Sequence, residues 1–377
     1  MGGTVRTVLN VANFLAEHNY DVEIVSVFRR KAQGFFEIDP RIKVTVLHDG
    51  VGRRKPKGIK DRIIHKLSKM KSRLIHREDE AYQFFSLLTD IKLYSFIKSI
   101  NSGILITTRP SFNIFAAKYA NKGVKLVGQE HLNFEIYPES LKQAIKANYG
   151  QLDYLITLTD EDTKDYQALF ANKNVDVRKI TNSIPKLNPV VAPLEEKVVL
   201  AAGRLVPQKG FDLLIDSFKK VVEKHPDWKL KIFGYGRDHA MLQQQILDNR
   251  LYNNVMLMGA TKDIDNELAN SSIYALSSRY EGFGMVIVEA MQIGVPVVSF
   301  DCPKGPAEII TDNEDGILVE NGNVEKFADA LLKLIEDKEL RKRFGQNGLK
   351  NVKRFEIDTI GKLWVEFLEE INDKKPE

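Results

Sequence analysis

One cysteine in 377 residues, Cys302, leaves no internal disulfide to hold a fold together and fits a reducing compartment. A small buried residue following a strand accounts for it better than a catalytic thiol does. No apolar run approaches the length of a membrane span, and the opening residues do not read as a signal peptide. The expectation is therefore a cytoplasmic protein, at most peripheral to the inner face of a membrane. Neither an internal repeat nor a low-complexity tract is present, which excludes solenoids and disordered arrays. A net charge of +4 is mild, so the question becomes where the positive charge sits. What is present, 43% hydrophobic and 28% charged residues, is the composition of a soluble globular chain long enough for two domains.

Short apolar runs alternate with helical spacing along most of the chain. Val22–Val27, Arg41–Leu47, Ile104–Thr107, Val124–Gly128 and Tyr154–Leu158 read as strands. Val198–Ala202, Leu230–Phe233, Val255–Gly259, Ile273–Leu276, Val297–Phe300 and Asp315–Val319 continue the series. Strand, helix, strand alternation predicts an α/β fold of two doubly wound, Rossmann-like domains facing a cleft. The predicted boundaries are 1–187, 188–354 with a proline-punctuated linker at its start, and a final helical segment, 355–377. Thr159 through Asp162 reads as a capped, acidic helix start, and Asp263-Ile264-Asp265 as another in preference to a metal site.

The richest stretch runs from Ser277 to Met291. A buried strand leads into Glu281-Gly282-Phe283-Gly284-Met285, a helix follows, and Gly294-Val295-Pro296 ends it. Glycines at such a turn let a ligand approach backbone, and the free amides of a helix start point at an anion. Glu281 and Glu289 bracket that anion site. Carboxylates accept hydrogen bonds from hydroxyls, so this pairing suits a ligand bearing both phosphates and polyols; solvated helix-end charges are the plainer alternative.

The whole phrase resembles the signature of the retaining glycosyltransferases of family 4, enzymes of GT-B fold that use nucleotide-sugar donors. The resemblance implies that Glu281 lies at the donor sugar and that Glu289 holds the ribose hydroxyls. It also implies that the amides of Phe283, Gly284 and Met285 face the sugar and distal phosphate. Arg204 and Lys209, in the loop after Val198–Ala202, match the family's phosphate-binding cations. Gly234-Tyr235-Gly236 is similar to its turn beside the nucleotide. His131, just past the strand Val124–Gly128, matches an active-site histidine, with a hydrogen-bonded loop histidine as the alternative; Glu130 receives no role. Gly2 and Gly3 match a glycine pair that approaches the diphosphate after a first strand. No such strand stands ahead of them here; an upstream segment supplying it is the expectation, with another segment filling that place as the alternative.

Arg53 to Arg77 is the most basic stretch, with Ile59, Ile63, Leu67, Met70 and Leu74 at helical spacing. Three readings stand: a surface helix with its stripe on the core, a contact to an anionic membrane or polymer acceptor, and nucleic-acid binding. The last lacks any accompanying nucleic-acid module. The implied partners are a nucleotide-sugar co-substrate, with UDP-sugar favoured, and a glycan, polyol-phosphate polymer or lipid-linked acceptor, with no metal and no cofactor. A nucleotide-sugar epimerase or glycosyl phosphorylase, and a nonenzymatic sugar-nucleotide or anionic-polymer binder, are the rival classes.

Overall fold

A computed structural model describes residues 3–29, 36–50, 58–186 and 190–373. The chain divides into two compact units, 1–183 with 360–377, and 184–359. The chain passes between the units where Ile184 N donates to Phe355 O at 2.9 Å and Ile357 N donates to Ile184 O at 2.9 Å.

Among its described residues the second unit holds six strands: β7 (Val198–Ala202), β8 (Lys229–Phe233), β9 (Val255–Gly259), β10 (Ile273–Leu276), β11 (Val297–Asp301) and β12 (Gly316–Glu320). They pair in the order β12-β11-β10-β7-β8-β9, parallel throughout. A parallel sheet is covered by helices on both faces, which is why its strands read as continuous apolar runs. All four residues of β10 are buried. The helices Phe211–Lys224 and Val324–Glu336 close one core through Leu214, Phe218, Phe327 and Leu331. Strand order reverses between β7 and β10, and the carboxyl ends of strands at such a reversal are where doubly wound sheets commonly bind ligands.

The first unit also contains six strands among its described residues: β1 (Glu23–Arg29), β2 (Lys43–Asp49), β3 (Gly103–Thr107), β4 (Val124–Gln129), β5 (Tyr154–Thr157) and β6 (Asp176–Lys179). They form two parallel sheets, β1-β2 and β3-β4-β5-β6. One face of the larger sheet is packed by the last helix, Ile357–Asp373, whose Trp364, Phe367 and Leu368 meet Val127, Tyr154 and Ile156. Truncating a buried tryptophan of this kind costs roughly 3–5 kcal/mol. Thr159 and Asp263 both cap helices as expected, accepting from Asp162 N and Asn266 N at 3.1 Å.

The basic segment departs from the core-facing reading. Its helix runs only from Ile59 to Lys69, and none of its residues is buried. Ile59, Ile63 and Ile64 are 78%, 54% and 47% exposed. A helical period reports an apolar stripe but not what covers it. The helix stops because buried Asp90 captures the following chain, accepting from Ser72 Oγ at 2.6 Å and Arg73 N at 2.7 Å. Arg53 to Lys57 lie outside the described residues.

Candidate active site

The loops after β7 and β10 are brought together by a set of close backbone contacts. Gly210 follows the β7 loop at φ +59°, and a Cβ there would stand 2.0 Å from Ser277 O. Arg279 grips Asp212 with both guanidinium nitrogens, at 2.9 and 2.6 Å, and donates to Pro207 O at 2.7 Å. Burial alone pushes the Asp212 carboxyl up, but hydrogen bonding and charge from Arg279 outweigh it and hold the group below its usual range. The loop after β8 lies against the same segment. At Gly234 a Cβ would meet Gly203 O at 1.8 Å, and at Gly236 it would meet Leu205 O at 1.9 Å. These glycines are required first for backbone meeting backbone, whatever ligand lies above them.

Onto this frame the structure places the predicted residues of the second unit. Glu281 is 6% exposed and its Oε1 accepts from Lys209 Nζ at 2.6 Å and from Ser278 Oγ at 2.6 Å. Its backbone is held by the loop after β11: Glu281 N donates to Pro303 O at 2.9 Å, and Lys304 N to Glu281 O at 3.4 Å. Gly305 allows this approach, since a Cβ there would stand 2.1 Å from Phe283 O. Gly284, at φ +99°, caps the helix Met285–Gln292, and Phe283 packs edge-on to Phe355. The first amides of such a helix lack an intrahelical acceptor and carry the positive end of its dipole. Glu289 sits on the same helix, 8% exposed. Arg204 is exposed in the β7 loop, with Nη2 at 3.5 Å from Gln208 Oε1.

Three neighbours complete the surroundings of these residues. Tyr274, fully buried on β10, donates to Ala202 O at 3.3 Å, and burial, with Glu281 and then Glu289 adding repulsion, raises its phenol far above the usual range. Arg279 belongs to the signature stretch, but only its pairing with Asp212 reveals its work of joining two loops. Buried Cys302 lies close enough to Glu281 and Lys209 to feel both, and burial raises its thiol well above the ordinary value, consistent with an inert packing residue.

In the first unit, His131 follows β4 as expected. Both ring nitrogens are shielded and lack a hydrogen-bond partner among the described residues. Burial, with the Arg109 charge adding, lowers its pKa to about 4, so the ring is neutral near pH 7. Glu130 beside it points into a different network: Asn113 Nδ2 donates to it at 3.1 Å, Tyr137 OH at 2.6 Å, and Tyr149 OH also donates. Burial outweighs these donors and raises its pKa to about 7. Glu130 thus anchors the loop that carries His131. Gly3 is the first residue of the helix Gly3–Glu17, and Gly2 lies outside the described residues.

Comparison with known proteins agrees with this construction. Residues 185–351 match the family described as glycosyl transferases group 1. An exopolysaccharide phosphotransferase of Streptomyces coelicolor is 31% identical over 384 residues, covering 100% of this chain but 40% of that protein. The amylovoran biosynthesis glycosyltransferase AmsD of Erwinia amylovora is 28% identical over 380 residues, covering 97% of this chain and 96% of its own length. A crystal structure of S. aureus TarM with fondaparinux, alpha-GlcNAc-glycerol and UDP superposes with a TM-score of 0.79 at 20% identity. That superposition covers 98% of this chain and 97% of TarM.

The fold is that of the GT-B glycosyltransferases, and the matched stretch is similar to the group 1 glycosyl transferases. More particularly, the match to that family falls within the second unit, and the β7 and β10 loops described above lie inside it.

Proposed function

We propose that the protein is a retaining glycosyltransferase that moves a sugar from a nucleotide diphosphate, a UDP-sugar, to an acceptor hydroxyl of a cell-surface glycan or polyol-phosphate polymer. One observation carries this reading: Lys209, Arg204, the helix start at Gly284, and the buried carboxylates Glu281 and Glu289 converge at the strand-order reversal of the second unit. Cations and helix amides suit a diphosphate, and carboxylates suit hydroxyls. Glu289 takes the ribose, Glu281 the donor sugar, and Arg204 with Lys209 and the amides of Phe283, Gly284 and Met285 take the phosphates. The UDP and alpha-GlcNAc-glycerol bound to TarM, and the polysaccharide pathway in AmsD's name, support the donor and acceptor classes.

In this reading the bond from the anomeric carbon to the distal phosphate oxygen breaks while the acceptor oxygen bonds to the same face. The acceptor proton passes to the departing phosphate. Preorganised positive charge stabilises that leaving group without a metal. Lys209 is already paired with Glu281, so the incoming diphosphate shares this cation with a carboxylate instead of meeting a bare one. A neutral His131 with both nitrogens unfilled fits the sugar-contacting role that the family resemblance assigns to it.

Calorimetry with UDP tests the nucleotide site. Arg204→Ala and Glu289→Ala should each weaken binding about 10- to 150-fold, the equivalent of roughly 1.5–3 kcal/mol for a charged hydrogen bond. Unchanged affinity in both variants would remove the nucleotide from this site. With an acceptor identified, His131→Ala should lower turnover more than UDP affinity, and NMR of the product should show the donor's anomeric configuration. Nucleotide release that does not need an acceptor would favour the rival classes.

A further inference from the structure

A pocket of about 480 Å³ opens on the first unit between the segment 73–78 and two helices, Pro110–Tyr119 and Glu139–Asn148. Small-molecule sites commonly have volumes of about 300–1,000 Å³. The lining carries Arg73, Arg77 and Lys118, all exposed, against one carboxylate, Glu78. Glu78 already accepts from Ser140 Oγ. None of the three cations has a carboxylate partner among the described residues. Arg41, Arg109 and Arg178 of the same unit, by contrast, each hold an aspartate. Like charges gathered round one opening repel each other, and an anion shared among them replaces that repulsion with attraction.

The backbone that carries the arginines is fixed. Leu74 N donates to Asp90 Oδ2 at 3.3 Å, Ile75 N to Ser72 Oγ at 3.0 Å and His76 N to Ser111 Oγ at 3.2 Å. Little ordering of the main chain is therefore left to a ligand. Ser111 is 1% exposed, and while its oxygen takes that amide, its hydroxyl proton has no acceptor among the described residues. His76 Nδ1 accepts from Glu78 N at 3.3 Å, so in the neutral ring the proton sits on Nε2. The lining thus adds two neutral donors to its cations, and the buried Ile75 and Ile114 give it an apolar wall.

We propose that this pocket binds a phosphate-bearing polyol unit of the acceptor, away from the hydroxyl that receives the sugar. The proposal rests on the acceptor class inferred above and names where that acceptor is held. Guanidinium forks and a lysine suit phosphate oxygens, and the Ser111 hydroxyl donates to one of them. A lone anion leaves most of the volume unfilled, and the apolar wall takes the carbons of an attached polyol. The lining segment continues into Asp79, which accepts from Arg109 Nη1 at 2.6 Å, and the Arg109 charge is felt at His131. Ser111 lies in the first turn of its helix, just past the carboxyl end of β3. A unit held here by its phosphate therefore lies at the end of the sheet that carries His131.

The test compares three proteins: the unaltered chain, a pocket variant with Arg77→Gln and Lys118→Gln, and a control with Lys219→Gln and Lys224→Gln. The control loses the same charge from exposed lysines of the second unit. Calorimetry is run with a short poly(glycerol phosphate) oligomer, with a hyaluronan oligosaccharide as a carboxylate polyanion, and with UDP. The pocket variant should bind the phosphate oligomer at least about tenfold more weakly than either other protein, as the loss of charged hydrogen bonds requires. UDP affinity should be the same in all three. Equal oligomer affinity in all three overturns the proposal, as does an equal loss in the control. Hyaluronan binding as tight as oligomer binding, and lost with it, would make the pocket a contact for any polyanion and overturn it too. Sedimentation with phosphatidylglycerol vesicles that needs Arg77 and Lys118, without oligomer binding, would give the pocket to a lipid headgroup and likewise overturn it. The oligomer arm decides this proposal and the UDP arm the donor reading, so either can fail alone.

Discussion

The two units use the same layered plan but differ in how fully it is closed. In the second, six strands form one sheet and the loops at the strand-order reversal are fixed by backbone packed on backbone. In the first, the strands form two sheets with a cavity between them, and an exposed isoleucine-bearing helix lies on the surface. The contrast teaches that chemistry is held most firmly where backbone packs on backbone and each functional side chain has fixed partners. Glu281 is held on three sides by Lys209, Ser278 and the β11 loop. The ring nitrogens of His131, at the margin of the cavity, have no such hold among the described residues.

Paired glycine substitutions break the comparison most sharply. Gly234→Ala drives a methyl group to within 1.8 Å of Gly203 O at φ +152°, and should destabilise the second unit by more than about 3 kcal/mol. Gly103→Ala, at the start of β3, has φ +98° but nothing within 4 Å, so it should cost only about 1–2 kcal/mol of backbone strain. Scanning calorimetry resolves the two effects by unit. Equal losses would mean that the loops of the second unit can move aside, and that their packing is not what fixes the site.

Next in size is a pair of opposed pH effects in the first unit. Burial raises the Glu130 carboxyl from its ordinary 4.5 to about 7, so between those values the native state binds more protons than the unfolded one. Stability from this group is therefore lost as pH rises from about 4.5 to about 7. His131 falls from 6.5 to about 4, so over that window the unfolded state binds more protons and stability grows with pH. Each change is on the order of 3 kcal/mol, and the two nearly cancel. Glu130→Gln should leave a stability that increases from pH 4 to 6.5, and His131→Asn one that decreases from pH 4.5 to 7. Urea unfolding across this range reads the slopes; parallel slopes in the two variants would defeat the account.

How much of this was legible follows the same division. The second-unit site lies in two continuous stretches, Gly203 to Gly210 and Ser277 to Met291, whose residue types announce strand, glycine turn and helix start. Its cross-links were less visible, because Arg279 and Asp212 are 67 positions apart and nothing local announces their pairing. In the first unit, Glu130 depends on Asn113, Tyr137 and Tyr149, so its anchoring role exists only after folding. β6, with the sequence Asp-Val-Arg-Lys, offers no apolar run and is drawn into the sheet by its neighbour β5. The stripe at Ile59 and Ile63 was read correctly as a helix, but the side that would cover it was not readable.

A smaller effect tests whether the second-unit site is as closed as it looks. Lys209→Met leaves Glu281 buried with Ser278 as its remaining side-chain donor, and should cost about 2 kcal/mol. Adding Glu281→Gln removes the stranded charge and should recover most of that stability while leaving UDP binding weak. A double variant less stable than either single one would show that the pair stabilises the fold and is not held there for a ligand.

The smallest effect concerns the exposed helix of the first unit. Its isoleucines at 59, 63 and 64 face solvent alongside Lys60, Arg62, Lys66 and Lys69, all exposed. An amphipathic helix with an uncovered apolar face and solvated cations suits an anionic lipid surface, and no described helix is long and apolar enough to cross one. Each cation near such a surface contributes about 1 kcal/mol, and the attraction is screened over a Debye length of roughly 8 Å at physiological salt. Replacing Lys60, Lys66 and Lys69 with glutamine should therefore reduce sedimentation with phosphatidylserine-containing vesicles, and raising the salt should reproduce the loss in the unaltered protein. UDP affinity should be unchanged, because none of the proposed nucleotide contacts belongs to the first unit's basic helix. Ile63→Ser should weaken vesicle binding at every salt concentration, since it removes apolar contact and no charge. Binding that ignores both the lysines and the salt would leave the helix as an ordinary solvated surface, and would confine the contrast between the units to their sheets.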